Sequence, residues 1–485
     1  MYFKRKRKPV FNSPSTPSRF LFYFKKMLKI LNLTPSRIKD LLLIFSLFIS
    51  IFLVFRHPQA PLPLATTVPF PSSTCRHHLF FSIACSSNSF PRRSSYIRLW
   101  YTPRATRAVA FLDQPVSSLV DPTLPPVMVS GDTKSFPYTF KGGLRSAIRV
   151  ARVVKEAVER NETGIRWFVF GDDDTVFIVD NLVKVLSKYD HEKWFYVGSN
   201  SESYEQNLKY SFDMAFGGGG FAISYSLGKV LARVLDSCLM RYAHLYGSDA
   251  RVWSCLAELG VGLTHERGFH QVDMRGNLFG MLTAHPLSPL VSLHHLDAME
   301  PVFPNMSKTQ ALEHFFKAVN VDSSRILQQT VCYDRFNSLT VSVAWGYAIQ
   351  FYEGNQLLPD LLSLQKTFSP WKRGANVGAH FMFNTREFPK DSCKRPLGFF
   401  LESVGSDKNV VWSIYTRYSD GNCVRTDAIK NLKEVKVVSQ KLELDMEQQI
   451  MAPRRQCCEI LPSYNESMVI NIRKCGIDEL ISMNA

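Results

Sequence analysis

The first 40 residues contain one acidic residue, Asp40, against eleven Lys and Arg, and no cysteine. The formal net charge of +16 over 485 residues is therefore mostly a property of this tail, which carries +10 and leaves +6 for the other 445. A nucleic-acid-binding surface needs its basic residues on a folded face, so this distribution argues against nucleic acid as a partner. Long apolar runs are scarce as well: Leu41 to Phe55, LLLIFSLFISIFLVF, is the one extended stretch without charge. No internal repeat of solenoid period is present, which removes stacked-repeat architectures. At the glycine-rich stretch near residue 217 neither GxGxxG nor a phosphate loop ending in Lys-Ser/Thr fits, so nucleotide cradles of those two kinds are unsupported.

What is present begins with topology. Basic residues on one side of an uncharged apolar segment hold that side in the cytosol, so the chain reads as a type II membrane protein with its C-terminal bulk in the lumen. Fifteen residues make roughly 22 Å of helix against a hydrocarbon core of roughly 30 Å. Including Ile38, with Lys39 or Arg56 reaching outward, gives an anchor over 38–56 that suits a thin Golgi-type bilayer. A cleaved signal peptide is the alternative, although the apolar run starts late and no small-x-small site follows Phe55. Residues 1–37 are then a cytosolic tail, and the Pro-rich 57–75 an extended stem. All ten cysteines follow the apolar run, as expected in an oxidising compartment. The sequons at Asn161, Asn305 and Asn465 lie on that side too, whereas one at Asn32 falls in the tail and should stay bare.

From residue 76 the pattern is α/β. HLFFSIACSS and VAFLD read as buried strands, Arg145 to Glu159 as an amphipathic helix, WFVF from Trp167 as a strand, NLVKVLSKYD from Asn181 as a helix and WFYVGS from Trp194 as a strand. Strands alternating with helices predict a mostly parallel sheet over 76–319. Near residue 320 the composition shifts to short β-rich pieces separated by Pro, Gly, Asn and Asp, and six of the ten cysteines lie beyond that point. Residues 320–485 are therefore expected to form a β-rich, disulfide-stapled domain.

The chemistry concentrates in WFVFGDDDTVF, where a buried strand ends in Asp172, Asp173 and Asp174. Adjacent carboxylates repel and cannot be buried unpaired, so a cation is their natural neutraliser; a solvated acidic turn is the plainer reading. AFGGGGFAIS follows, with Gly217, Gly218, Gly219 and Gly220 able to admit a ligand or merely to make a tight corner. Asp249 lies on a Gly-Ser turn before a helix, flanked by Cys238 and Cys255, and His270 sits between Phe269 and Gln271. Because they bracket that turn, Cys238 and Cys255 are expected to pair, a buried free thiol being the alternative.

In this order the motifs resemble the Fringe and β-1,3-glycosyltransferase family, glycosyltransferase family 31, in its plant branch with domain of unknown function 604. RRSSYIRLW from Arg92, WFVFGDDDT, FGGGGFAIS and YGSDARVWSCLAELGV are similar to the family's four signatures, and GFHQVDMRGNLFG and SLHHLD to the plant branch. The resemblance implies a GT-A fold and an inverting hexosyltransferase that moves sugar from a UDP-sugar to a glycan or glycoprotein hydroxyl, with Mn²⁺ and a β-1,3 linkage. It implies Asp172, Asp174 and His270 as metal contacts, Asp172, Asp173, Arg98 and Gly217 to Gly220 around the nucleotide sugar, and Asp249 as general base. Carboxylates with a neutral imidazole form a set that Mn²⁺ accepts. The family's acidic turn usually carries two adjacent acids where this chain has Ser248 and Asp249. A catalytically silent lumenal glycan-binding or scaffold protein on the same fold is the competing reading. A metal-dependent phosphatase or nuclease would need a second, separated ligand set.

Overall fold

The computed structural model describes residues 74–116, 121–372, 380–419, 421–443, 450–464 and 466–483, with scattered helical positions between 39 and 50. The chain divides at residue 70 into two units, and every strand among the described residues belongs to the second, 71–485. The expected anchor, tail and stem lie largely outside the described residues. Among the described residues no helix is long and apolar enough to cross a membrane.

Among the described residues eleven strands precede residue 320: β1 Leu79–Ala84, β2 Arg107–Leu112, β3 Val127–Val129, β4 Trp167–Asp172, β5 Val176–Phe177, β6 Tyr196–Gly198, β7 Phe221–Ser224, β8 Leu263–His265, β9 Phe269–His270, β10 Met274–Gly276 and β11 Ser292–Leu293. Seven of them make one sheet in the order β3-β2-β1-β4-β7-β6-β8. All neighbours run parallel except β7, which is antiparallel to β4 and β6. The uninterrupted apolar runs follow from burial on both faces. Successive side chains alternate, so Leu79, Phe81, Trp167 and Val169 enter one core while Phe80, Phe168 and Phe170 enter the other. The second core is closed by the helices Ser146–Glu159, Tyr225–Arg241 and Ser248–Glu258. The first is closed by the helix Phe90–Trp100, through Phe90, Ile97 and Trp100. A small sheet, β5-β11-β9, lies beyond the end of β4.

The expectation of a β-rich, disulfide-containing C-terminal region is met. Eight strands from Gln329–Asp334 to Ser467–Arg473 form one sheet, antiparallel except where Glu434–Gln440 runs beside Ser467–Arg473. All six of its cysteines pair with one another: Cys332 with Cys458, Cys393 with Cys423, and Cys457 with Cys475. The hydrophobic core is continuous from Leu79 and Phe81 of β1 to Val341 and Phe399 of this sheet. One strand of the C-terminal half, Phe368–Pro370, pairs antiparallel with β10 and so reaches the neighbourhood of the aspartates.

Candidate metal centre and active site

The strand β4 delivers Asp172 to the crevice at the C-terminal ends of the parallel strands, where open α/β sheets bind ligands. A tight turn follows. The Asp172 amide donates to Thr175 Oγ1 at 2.8 Å, and that hydroxyl donates onward to the Gly218 carbonyl at 2.7 Å, so the aspartate turn and the glycine loop are tied together. The three carboxylates then part company. Asp173 is spent on the protein: Arg93 donates to it at 2.8 Å and Ser89 Oγ at 2.5 Å. Arg93 also reaches Asp174 at 3.2 Å and Asp297 at 3.0 Å, neutralising part of the cluster from behind.

Asp172 and Asp174 form a group with His294, in which the available ligand atoms lie within 4.8 Å of one another. His294 Nε2 stands 3.1 Å from Asp174 and 3.7 Å from Asp172. Its other nitrogen, Nδ1, lies 3.3 Å from the Gln271 carbonyl, which can only accept, so Nδ1 carries a proton and Nε2 is aimed at the carboxylates. Metal-ligating histidines are oriented this way. Burial works to lower the His294 pKa, but Asp174 and Asp172 carry it up to about 9. Asp174, against the opposite push of burial, is held down at about 2 by His294 and Arg93. Burial, helped by the neighbouring carboxylates, pushes Asp172 up to about 7. Asp172 nevertheless keeps 39% of its side chain open while Asp174 keeps 2%, which makes Asp172 the outward-facing member. Two carboxylates and one imidazole fit a Mn²⁺-type cation.

Three of the four glycines are required by the protein's own packing. A Cβ on Gly218 would lie 2.1 Å from the His294 ring, and one on Gly219 would lie 3.0 Å from the Gln271 backbone nitrogen. Gly220 has φ +84°, and a Cβ there would lie 2.8 Å from the Phe177 ring. Only Gly217 borders open space, where a Cβ would be 3.4 Å from Asp249. Asp249 enters on the first turn of the helix Ser248–Glu258. Its carboxylate accepts from the Gly217 amide at 3.2 Å and from Ser248 Oγ at 2.8 Å. Ser248, standing where the resembling family has an acid, thus orients the carboxylate beside it. Asp249 and Asp172 line one small hollow, and Asp249 also opens onto a larger one of ≈ 270 Å³. The expected Cys238–Cys255 bridge is formed and staples the helix carrying Asp249 to Tyr225–Arg241.

Two expected residues stand elsewhere. His270 is outside the Asp172 group: its Nδ1 meets Glu202 at 3.0 Å and its Nε2 meets His285 at 2.9 Å, all three side chains being buried. The imidazole beside the aspartates is His294, in the SLHHLD segment. Leu293 pairs in register with His270, so the next residue turns to the opposite face, toward Asp174. Arg98 points to Asp121 at 2.6 Å and to Ser94 and Thr123; the arginine that reaches the aspartates is Arg93, earlier on the same helix. The repeated Arg of RRSSYIRLW and the paired His of SLHHLD were the available signals.

A helix-flanked, mostly parallel sheet with clustered carboxylates and an imidazole at its strand ends defines a ligand-binding α/β protein with a candidate cation site. The chain belongs to the family described as "Protein of unknown function, DUF604", which matches residues 206–458. The resemblance seen in the motifs holds at the level of a β-1,3-glycosyltransferase-like family. Among curated proteins the chain is similar to a mouse (Mus musculus) β-1,3-glucosyltransferase, 29% identical over 120 residues that cover 24% of this chain and 23% of that protein. The human (Homo sapiens) β-1,3-glucosyltransferase is 28% identical over 120 residues, again 24% of this chain and 23% of that protein. The alignment therefore spans about a quarter of either relative. Among solved structures, a mannosyltransferase from Pyrobaculum calidifontis in complex with GDP-Man and Mn²⁺ matches at 14% identity and TM-score 0.23, over 39% of this chain and 58% of that one. A 4-diphosphocytidyl-2C-methyl-D-erythritol synthase from Anaerococcus prevotii matches at 8% identity and TM-score 0.24, over 39% of this chain and 88% of that one. Likeness of that size does not define the fold.

Proposed function

We propose that the protein is a GT-A type, metal-dependent inverting glycosyltransferase that moves a hexose-type sugar from a UDP-sugar to a hydroxyl of a glycan or glycoprotein, forming a β-1,3 linkage. The observation that carries this reading is the convergence of Asp172, Asp174 and His294 on one point, with Asp249 across a shared hollow. Asp172, Asp174 and His294 would hold Mn²⁺, which when bound supplies Lewis-acid stabilisation of a leaving diphosphate. Arg93 keeps Asp173 and the back of Asp174 neutralised, leaving Asp172 to face the donor. Gly217 and Ser248 fix the Asp249 carboxylate by hydrogen bonds. In the transfer the acceptor oxygen forms a bond to the anomeric carbon as the bond to the diphosphate oxygen breaks, its electron pair leaving with UDP, and Asp249 takes the hydroxyl proton. A single displacement inverts the anomeric centre.

The disulfides support a lumenal, oxidising setting, and Asn161 and Asn305 stand exposed where glycosylation would need them. We place the protein in the Golgi membrane as a type II protein on the strength of the basic tail and the apolar run 41–55. The test is UDP release by the purified protein over a panel of UDP-sugars with and without Mn²⁺. Turnover with one donor, abolished by chelation, is expected. UDP and Mn²⁺ binding without turnover on any donor and acceptor would favour the silent glycan-binding alternative.

A further inference from the structure

Arg251 lies two residues beyond Asp249 on the helix Ser248–Glu258 and is fully buried. No carboxylate pairs with it among the described residues; its partners are carbonyls. Nη1 donates to Gly247 at 2.8 Å, and Nη2 donates to Leu245 at 2.6 Å and to Ala243 at 3.3 Å. The Tyr246 carbonyl, which this fork does not reach, accepts from the Tyr138 hydroxyl at 3.0 Å. Tyr138 packs on the guanidinium, whose Cζ is 4.9 Å from its ring centre, and the Thr139 amide donates to the Ala243 carbonyl at 3.0 Å. Four of the five carbonyls from Ala243 to Gly247 are thus tied to two side chains that touch each other. The turn they hold runs directly into Ser248 and Asp249.

Stability alone does not account for this arrangement. A buried charge without a counter-ion costs several kcal/mol, and an apolar side chain of similar volume is often the more stable filling. Here the guanidinium also leaves its buried Nε without a partner among the described residues. What arginine supplies is a rigid planar fork that fixes several carbonyls at once, which the single ammonium of a lysine does not reproduce. Helix geometry does the rest. Cys255, four residues on, shares the face of Arg251 and is bridged to Cys238, whereas Asp249, two residues back, lies about 200° round the axis. One face of the helix is therefore anchored, and the other presents Asp249 to the Gly217 amide and to the hollow it shares with Asp172.

We infer that Arg251 and Tyr138 are positioning residues for Asp249: by fixing the turn 243–247 they hold the carboxylate against Gly217, in the geometry that proton transfer needs. Only the consequence for turnover rests on the transferase reading. The placement of the carboxylate does not.

The test compares the full chain with its Arg251→Lys, Tyr138→Phe, Asp249→Ala and Asp249→Asn variants. The Gly217 amide donates to Asp249 Oδ2, so its hydrogen exchange, read at single-residue resolution, reports where the carboxylate is. Arg251→Lys should speed that exchange by at least about tenfold, toward the rate in Asp249→Ala, while the amides of β4 keep their protection. Tyr138→Phe removes one hydroxyl and keeps the ring, and should speed it by at least about twofold, the low end for one hydrogen bond. It guards against a folding defect in Arg251→Lys, which lost protection in β4 would reveal. In UDP release, Arg251→Lys should lower kcat by about 10²-fold with UDP affinity within about twofold of wild type. Adding Asp249→Asn to it should cost little beyond Asp249→Asn alone, because both changes act on one group. Unchanged Gly217 exchange in both variants, or losses of kcat that multiply in the double variant, overturns the inference. A wild type without turnover condemns the transferase reading instead, and Gly217 exchange then still decides whether Arg251 and Tyr138 hold Asp249.

Discussion

Replacing Gly218 by Ala probes the candidate metal centre without touching a ligand. A Cβ built at Gly218 lies 2.1 Å from His294 Cε1 and 2.5 Å from both ring nitrogens. Non-bonded carbons settle at about 3.5 Å or more, so the ring would have to retreat by roughly 1.4 Å. His294 is buried, and its Nε2 is 3.1 Å from Asp174, so such a shift removes the nitrogen from a site whose metal distances tolerate only about 0.2 Å. Mn²⁺ affinity should fall by at least about 10- to 100-fold, the usual cost of disturbing a ligand's support, and overpacking should cost about 1–3 kcal/mol of stability. Gly217→Ala is the matched control, because its Cβ would meet only Asp249 Oδ1 at 3.4 Å. Calorimetric Mn²⁺ titration and thermal melts of both variants decide the matter. Wild-type Mn²⁺ affinity in Gly218→Ala would mean that the His294 ring is not a ligand.

Asp249→Asn should keep Mn²⁺ and UDP binding and lose about 10² to 10⁴ in turnover at saturating donor and acceptor, and unchanged turnover would remove Asp249 as the base. A cation at this centre must displace protons from His294, raised to about 9, and below about pH 7 from Asp172. Mn²⁺ affinity should therefore climb from pH 6 to 9 with proton release, seen by calorimetry in buffers of different ionisation enthalpy; a flat profile would argue against this ligand set. In the metal-free protein the His294–Asp174 pair follows the two partners' shifts. The His294 contribution to stability is full below about pH 6.5 and is lost as pH rises through about 9, and the Asp174 contribution is lost as pH falls from about 4 through about 2. Cys255→Ser should lower stability by about 3 kcal/mol in a chain-entropy account, visible as a lower melting temperature, and an unchanged melt would show that the bridge to Cys238 adds nothing.

The strands and helices of the first sheet were legible because each is an apolar run or an amphipathic stretch of the right period: β1, β4 and the helix Ser146–Glu159 fall within two residues of their expected places. The aspartate cluster was legible as chemistry for the same reason, since acids after a buried strand contradict their surroundings. The partner histidine was not. Its place depends on the register of two-residue strands, β9 and β11, that meet across a long connection, and nothing local in the sequence sets that register. Arg98 and Arg93 differ for a simpler reason. Five residues turn a helix through about 140° beyond one full turn, so only one of the two can face the aspartates, and periodicity alone does not say which. The glycine run was ambiguous because a glycine needed by a neighbour's ring, as Gly218 is, looks the same in sequence as one that admits a ligand.

The proposed sugar transfer requires a divalent cation held by Asp172, Asp174 and His294. Titration of Mn²⁺ into the wild type, His294→Ala and His270→Ala, followed by electron paramagnetic resonance, separates the two candidate histidines. The wild type and His270→Ala should both bind the ion, while His294→Ala should leave it free. Retention of Mn²⁺ by His294→Ala, with its loss in His270→Ala, would place the cation elsewhere and overturn the assignment.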